Sequence, residues 1–419
     1  MVDEQSHKRF LGLLAAIFLF VFLLGSGFNY LVDPYGLFGT RRIDGFNERK
    51  PAASERVRVT KPYMAARAQA RTVIGGNSRP EMGIDPQSAC WTTDEQPVFN
   101  SGIPGADIAM QTRYVQHAAE RGQAQRIFFG VDFFDFLVDV STMPTGNIDW
   151  ERLEKNYAGR LDQRTGFGFP LSLQQLDDRF SGLVSLVALG DSIKTVTAQR
   201  DVDSATRRED GFNPGLDYRP IIRNEGQAVL FSQKNREVRE RLQRRNLGIH
   251  GADGQQALPL QALRRFLQWS KDHNIEVVLF INPYHADYLT QIELTGNWAL
   301  FETWRQQVAV IAAEHAVPLW DFNAFDRYST ESPPAPGDKR HQLQWFWEPA
   351  HYRQELGDLM LASMLGRPCG GRTESGAYGV RLIATTLQDR QAALRKGLLR
   401  YVDDNSQVVE RLGGRVRQP

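Results

Sequence analysis

From Phe10 to Val32 the chain carries no charged residue. In hydrocarbon every backbone N–H and C=O must find its partner inside the segment, so a stretch of this kind has to be helical. About 23 residues at 1.5 Å each make a helix of roughly 34 Å, against a hydrocarbon core of roughly 30 Å. The expectation is a transmembrane anchor over residues 10–32, behind a short tail at 1–9. A cleaved signal peptide is the rival, because Gly25-Ser26-Gly27 offers small residues after the apolar run. Apolar character continuing through Phe28, Tyr30 and Leu31 argues for the anchor. Lys8 and Arg9 flank one end, and Arg41, Arg42, Arg49 and Lys50 the other. That count favours a cytoplasmic body, although large domains translocate regardless of it.

The remainder of the 419 residues can bury a large core, since 42% of the chain is hydrophobic and 11% aromatic. A formal net charge of +1 provides no global field for nucleic acid. Cys90 and Cys369 are too few for a disulfide framework, and whether they form one bridge is open. Histidines and acids show no metal-ligand spacing, and no cofactor is expected. Residues 33–70, basic from Arg41 to Arg67 and broken by Pro34, Pro51 and Pro62, read as a juxtamembrane linker.

Beyond the linker, short apolar strands alternate with helices. Thr72-Val73-Ile74 is a β-branched run, Gly75 and Gly76 allow a sharp turn, and Asn77-Ser78 stands where a strand hands over to a helix. Such a turn raises the Ser78 hydroxyl at a sheet edge; an ordinary N-capping serine is the competing explanation. Pro97 to Asn100 reads as a second strand breaking at Gly102, followed by a helix from about Asp107 to Arg121, and Arg126 to Phe136 carries a third strand. The pattern resumes with a helix over Leu258–His273, a strand at Ile275–Asn282, a helix over Trp298–His315 and a strand at Val317–Asp321. Strands separated by helices predict an α/β three-layer sandwich with a mostly parallel sheet, and strand ends are where such sheets gather their chemistry. The domain so bounded covers residues 71–370. Residues 137 to about 257 read as an insertion, with helices over Leu171–Ala198 and Ala228–Asn246. Gly190-Asp191-Ser192 looks like a serine motif, but its neighbours follow a helical period. Near the end, Trp345 to Arg353 is expected to open a helix running to about Leu365, and residues 371–419 to form a C-terminal helical segment.

Five blocks thus stand in order: Gly-x-Ser at 76–78, Asn-x-Gly at 100–102, Gly-x-Asp at 130–132, the polar strand end at Asn282, and Glu-x-x-His at 348–351. The arrangement resembles the SGNH (GDSL-like) hydrolase superfamily over about Val73 to Asp358, the insertion excepted. Within it, the anchor, the Asn-Ser-Arg turn and Glu-Pro-x-His are similar to membrane-tethered members found with bacterial exopolysaccharide and alginate O-acetylation machinery. The resemblance implies a flavodoxin-like fold, with Ser78 as nucleophile, His351 as its base and Glu348 in place of the family's aspartate. It implies an oxyanion hole from the Ser78 and Gly102 amides with Asn100 nearby. It also implies a periplasmic body on the inner membrane, a polysaccharide substrate and a multispanning acyl-donating membrane partner. The chemistry is sound without the family, because a serine hydroxyl needs an imidazole to take its proton and the imidazole a carboxylate to fix its tautomer. Departures stand beside it: Asn77 replaces the aspartate before the serine, and Asp132 replaces the asparagine donor on the third strand, which an ionised carboxylate cannot imitate. Arg79, Asp132, His285 and Trp347 are the remaining candidates for substrate contact. Two functions follow, a serine-dependent O-acyltransferase or esterase and a catalytically inactive polysaccharide-binding or scaffold protein.

Overall fold

Alternation along the strands explains the sheet. Ile127, Phe129 and Val131 enter one apolar core while Phe128 enters a second, and Val277, Leu279 and Ile281 alternate in the same way with Val278 and Phe280. A strand whose two faces both meet apolar partners is covered on both sides, as parallel sheets require. The computed structural model describes residues 4–143, 148–161, 172–204, 207–251, 254–369 and 378–413. Strands β1 (Thr72–Gly75), β2 (Val98–Asn100), β3 (Arg126–Val131), β4 (Glu276–Ile281) and β5 (Leu319–Asp321) are all parallel. A small antiparallel pair, β6 (Phe346–Glu348) and β7 (His351–Tyr352), lies outside that sheet. Strand β8 (Val380–Leu382) closes its edge antiparallel to β5. The spatial order is β2-β1-β3-β4-β5-β8. The strand order reverses between β1 and β3, so a crevice opens beyond the carboxyl end of β1. The protein is therefore mixed α/β with a mostly parallel six-stranded sheet.

Several expectations are corrected. Residues 33–70 are folded into the body: Lys50 and Lys61 are 2% and 1% exposed, and a helix over Val57–Ala68 lies against the one at Ile108–Gly122. Both ammonium groups are spent internally, Lys50 Nζ donating to the Val32 and Asp33 carbonyls and Lys61 Nζ to the Asn100 and Gly102 carbonyls and to Glu81. Trp345–Arg353 opens as the β6–β7 pair, and the helix starts only at Gln354. Pro349 lacks the N–H a helix would use, so the chain turns there. In the C-terminal segment, residues 380–382 pair as a strand before the helix Ala384–Asp404. The helix expected over Leu171–Ala198, whose first residue lies outside the described residues, is two helices, Leu173–Val184 and Leu186–Thr197. Ser185 separates them and caps the second by accepting from Ala188 N. Ser192 of the apparent serine motif is fully buried and donates to Asn29 Oδ1.

The uncharged run is a helix over Glu4–Val32, and its span Gln5–Val32 is long and apolar enough to cross a membrane.

Candidate active site

At the end of β1, Gly76 adopts φ +130°, and an added Cβ there would meet the Gly130 carbonyl at 2.7 Å. Only glycine takes this turn without strain. Asn77 then caps the helix Ser78–Gly83, its Oδ1 accepting from Arg79 N at 2.9 Å, and Ser78 becomes the first helical residue. Its amide is one of the helix N–H groups with no intrahelical acceptor. Ser78 is half-buried, so its hydroxyl is held and still reachable.

The imidazole comes from the other end of the sequence. Ser78 Oγ lies 2.7 Å from His351 Nε2, across 273 residues of chain. The opposite nitrogen, Nδ1, meets Glu348 Oε1. An Nδ1 proton accepted by Glu348 leaves Nε2 free to take the serine proton. Glu348 is 1% exposed and its second oxygen accepts from Ala350 N at 2.8 Å. Burial pushes its carboxyl up, but the His351 ring outweighs this and holds it at about 2. The tight β6–β7 turn brings Glu348 and His351 opposite one another across the pair, which is how a three-residue spacing delivers both side chains to one point.

The packing that sets this distance is close. A Cβ on Gly83 would meet the Tyr352 ring at 1.9 Å, and one on Gly357 the Gly83 carbonyl at 1.7 Å, so the serine helix and the helix after His351 touch backbone to backbone. A disulfide between Cys90 and Cys369 joins the same two neighbourhoods, with Cα atoms 4.3 Å apart.

Compared with family models, with curated proteins and with solved structures, the chain matches none.

The other expected site residues fare differently. Asn100 is fully buried, and its amide nitrogen donates to the Pro80 and Ile84 carbonyls at 2.8 and 2.9 Å. Its Oδ1 accepts the Gly102 N–H at 3.0 Å, so both expected oxyanion donors are spent, Asn100 on the end of the serine helix and Gly102 on Asn100. Of the predicted hole, the Ser78 amide remains. Arg79 is 8% exposed and pairs with Asp132 at 2.7 Å, while its other nitrogens donate to Ala350 O and the Tyr288 hydroxyl. This places the pair beneath the site, where Asp132, 0% exposed, meets no substrate. Arg79 thereby fixes the strand that carries the imidazole. His285 is equally buried: its Nδ1 accepts from Asp287 N as a helix cap and its Nε2 meets the Glu331 carbonyl at 2.8 Å. Trp347 packs under Tyr218, ring centroids 5.6 Å apart and nearly parallel, with the Arg353 guanidinium at 3.9 Å from its ring centroid. Each of the four already has a polar or aromatic partner in the fold.

Tyr218 has no signal in the sequence, and Glu81 and Asp135, which the sequence offers as partners for Arg79, have other partners. Tyr218, from the insertion, stands with its ring 6.4 Å from that of His351. Glu81, one turn after Ser78, is fully buried between Lys61 Nζ at 2.8 Å and Arg207 Nε at 2.7 Å. Asp135 accepts from Asn77 Nδ2 and Gln111 Nε2, both at 2.8 Å, and burial together with neighbouring Asp132 raises its carboxyl to about 7. Tyr218 and Arg207 lie in a polar, turn-rich stretch without periodicity, so no pattern marks them. Lys61 was hidden by reading its segment as a linker. Among the described residues no cluster of histidine, cysteine and acid could hold a metal. A cleft of about 850 Å³ between Phe231, Pro334, Tyr401 and Arg411 contains none of the triad.

Proposed function

We propose that the protein is a membrane-anchored, serine-dependent O-acyltransferase or esterase of SGNH type, working on an envelope or exported polysaccharide. One observation carries this reading: Ser78, His351 and Glu348 form a continuous chain of contacts at the mouth of β1. Ser78 attacks the acyl carbonyl while His351 takes its proton; the acyl-serine forms as the alcohol departs with that proton. Water releases the acyl group in an esterase, and a sugar hydroxyl accepts it in a transferase, with His351 as base in each case. The flavodoxin-like strand order supports the family assignment. The Cys90–Cys369 disulfide supports a periplasmic body on a single-pass inner-membrane anchor, because such bonds persist in oxidising compartments. The resemblance to membrane-tethered members of that superfamily implies a multispanning acyl-donating membrane protein as partner.

The test is hydrolysis of an acetyl ester by the purified full chain beside Ser78→Ala. Equal rates would remove Ser78 from the mechanism. The engagement of the Asn100 and Gly102 donors in structural bonds favours a second reading, a non-catalytic polysaccharide-binding scaffold. That reading requires saccharide binding unchanged by Ser78→Ala and no labelling by a serine-directed phosphonate. An alkaline phosphatase fusion after Pro419 that is active checks the periplasmic side.

A further inference from the structure

Helices Leu173–Val184 and Leu186–Thr197 are inside out. Toward the protein they turn Gln175, Ser192 and Thr195, which are 7%, 0% and 0% exposed. Asp178 accepts from the Tyr63 hydroxyl at 2.8 Å and Asp191 from the Tyr35 hydroxyl at 2.6 Å. Outward they turn Leu173, Phe180, Leu186, Val187 and Ile193, which are 86%, 64%, 83%, 61% and 53% exposed. A helix on a water-facing surface does the reverse, and grouped exposed apolar side chains mark a surface that something covers.

The helix Glu4–Val32 indicates what covers it. From Gln5 to Leu24 it is exposed; beyond that Gly25, Ser26, Phe28, Asn29 and Val32 are covered on one side while Gly27, Tyr30 and Leu31 stay exposed on the other, and both inverted helices pack on this helix. Asn29 bonds to both: its Nδ2 donates to the Leu183 carbonyl at 2.9 Å, and its Oδ1 accepts from Ser192 Oγ at 2.9 Å. Crossing a hydrocarbon core takes about 20 residues, and counted from Phe10 these reach Asn29. The inverted helices are therefore bonded to the span at the depth where it leaves the lipid.

We infer that these two helices form a collar sunk in the membrane face, with Phe180, Leu186, Val187 and Ile193 among the lipid acyl chains. The collar rests on the anchor reading given under Proposed function. It holds the body in one orientation against the bilayer. Arg207 extends that constraint to the active site, since it bonds Ser54 of the juxtamembrane segment and also Glu81, one turn beyond Ser78. The occupant is the bilayer itself, by continuity with the span.

The experiment uses the full chain, whose native cysteines are paired. Single substitutions Phe180→Cys and Val187→Cys are labelled with an environment-sensitive fluorophore in vesicles of phosphatidylethanolamine and phosphatidylglycerol. Phe18→Cys reports the span and Asp272→Cys an exposed surface. Blue-shifted emission and iodide quenching several-fold weaker at 180 and 187 than at 272 are expected. Quenching at 180 and 187 as strong as at 272, with position 18 shielded, overturns the collar and leaves the anchor standing. Quenching at position 18 as well overturns both. Shielding of 180 and 187 in native membranes but not in protein-free vesicles assigns the face to a protein partner and overturns the lipid proposal.

Discussion

The two sides of the Ser78 hydroxyl are built to different standards. On the proton-transfer side, His351 and Glu348 are buried, bonded in series and packed by a glycine-to-glycine contact. On the side where an oxyanion would form, the Asn100 amide is spent on the Pro80 and Ile84 carbonyls and the Gly102 N–H on Asn100 Oδ1, leaving the Ser78 amide. A preorganised donor is typically worth about 3 to 4 kcal/mol in the transition state, so on the proposed reading this difference is one of rate. The lesson is that a triad and an oxyanion hole are independent pieces of construction, and one can be complete while the other is filled with structural bonds.

The contrast can be broken most directly at the triad. Ser78→Ala is expected to lower esterase turnover by on the order of 10⁴-fold or more, measured as kcat with folding checked by circular dichroism. Glu348→Gln should cost on the order of 10³–10⁴-fold, because an amide no longer favours the tautomer that leaves Nε2 basic. The same variant sharpens the contrast in stability. The Glu348 carboxyl is held at about 2 against an ordinary 4.5, so its stabilisation is present above 4.5 and lost as pH falls toward 2. Chemical unfolding across that window should show a weaker acid dependence in Glu348→Gln. On the opposite side, Asn100→Ala should destabilise by about 2–4 kcal/mol by stranding two buried carbonyls and one amide, while kcat of the folded fraction changes little. A large kcat loss there at unchanged stability would show that Asn100 does serve the oxyanion. The smallest effect is expected at Asp135, whose carboxyl is raised from 3.8 to about 7. Folding favours its protonated form, so the destabilisation grows as pH rises through that window and is complete above 7. Asp135→Asn should therefore stabilise the protein more at pH 8 than at pH 4, read from urea unfolding.

Legibility followed locality. The strand at Thr72–Gly75 and the turn after it depend on residues adjacent in sequence and are readable from β-branching and glycine, whereas the cap, which the sequence offers at Ser78, falls one residue earlier on Asn77. The β6–β7 pair was misread as a helix start because Glu348 and His351 suit either element by spacing, and the pairing of Phe346 with Tyr352 decides it. Arg79, Asp132 and His285 look like exposed site groups in a sequence, where only charge and position are visible. Their partners lie far along the chain, Ala350 and Tyr288 for Arg79, Arg79 for Asp132 and Glu331 for His285, and all three side chains are buried.

The sequence by itself determined that one segment has to be a membrane-compatible helix, that the body alternates strand and helix, and that a serine ends the first strand. These are consequences of local periodicity and backbone sterics, which act within a few residues. Only the tertiary structure decided that Ser78 and His351 meet at 2.7 Å, that Asn100 and Gly102 are spent, and that Cys90 joins Cys369. Such contacts span up to 279 residues and depend on how the layers stack. No local pattern carries that information, because the competition among partners for each buried polar group is settled only when the whole core closes.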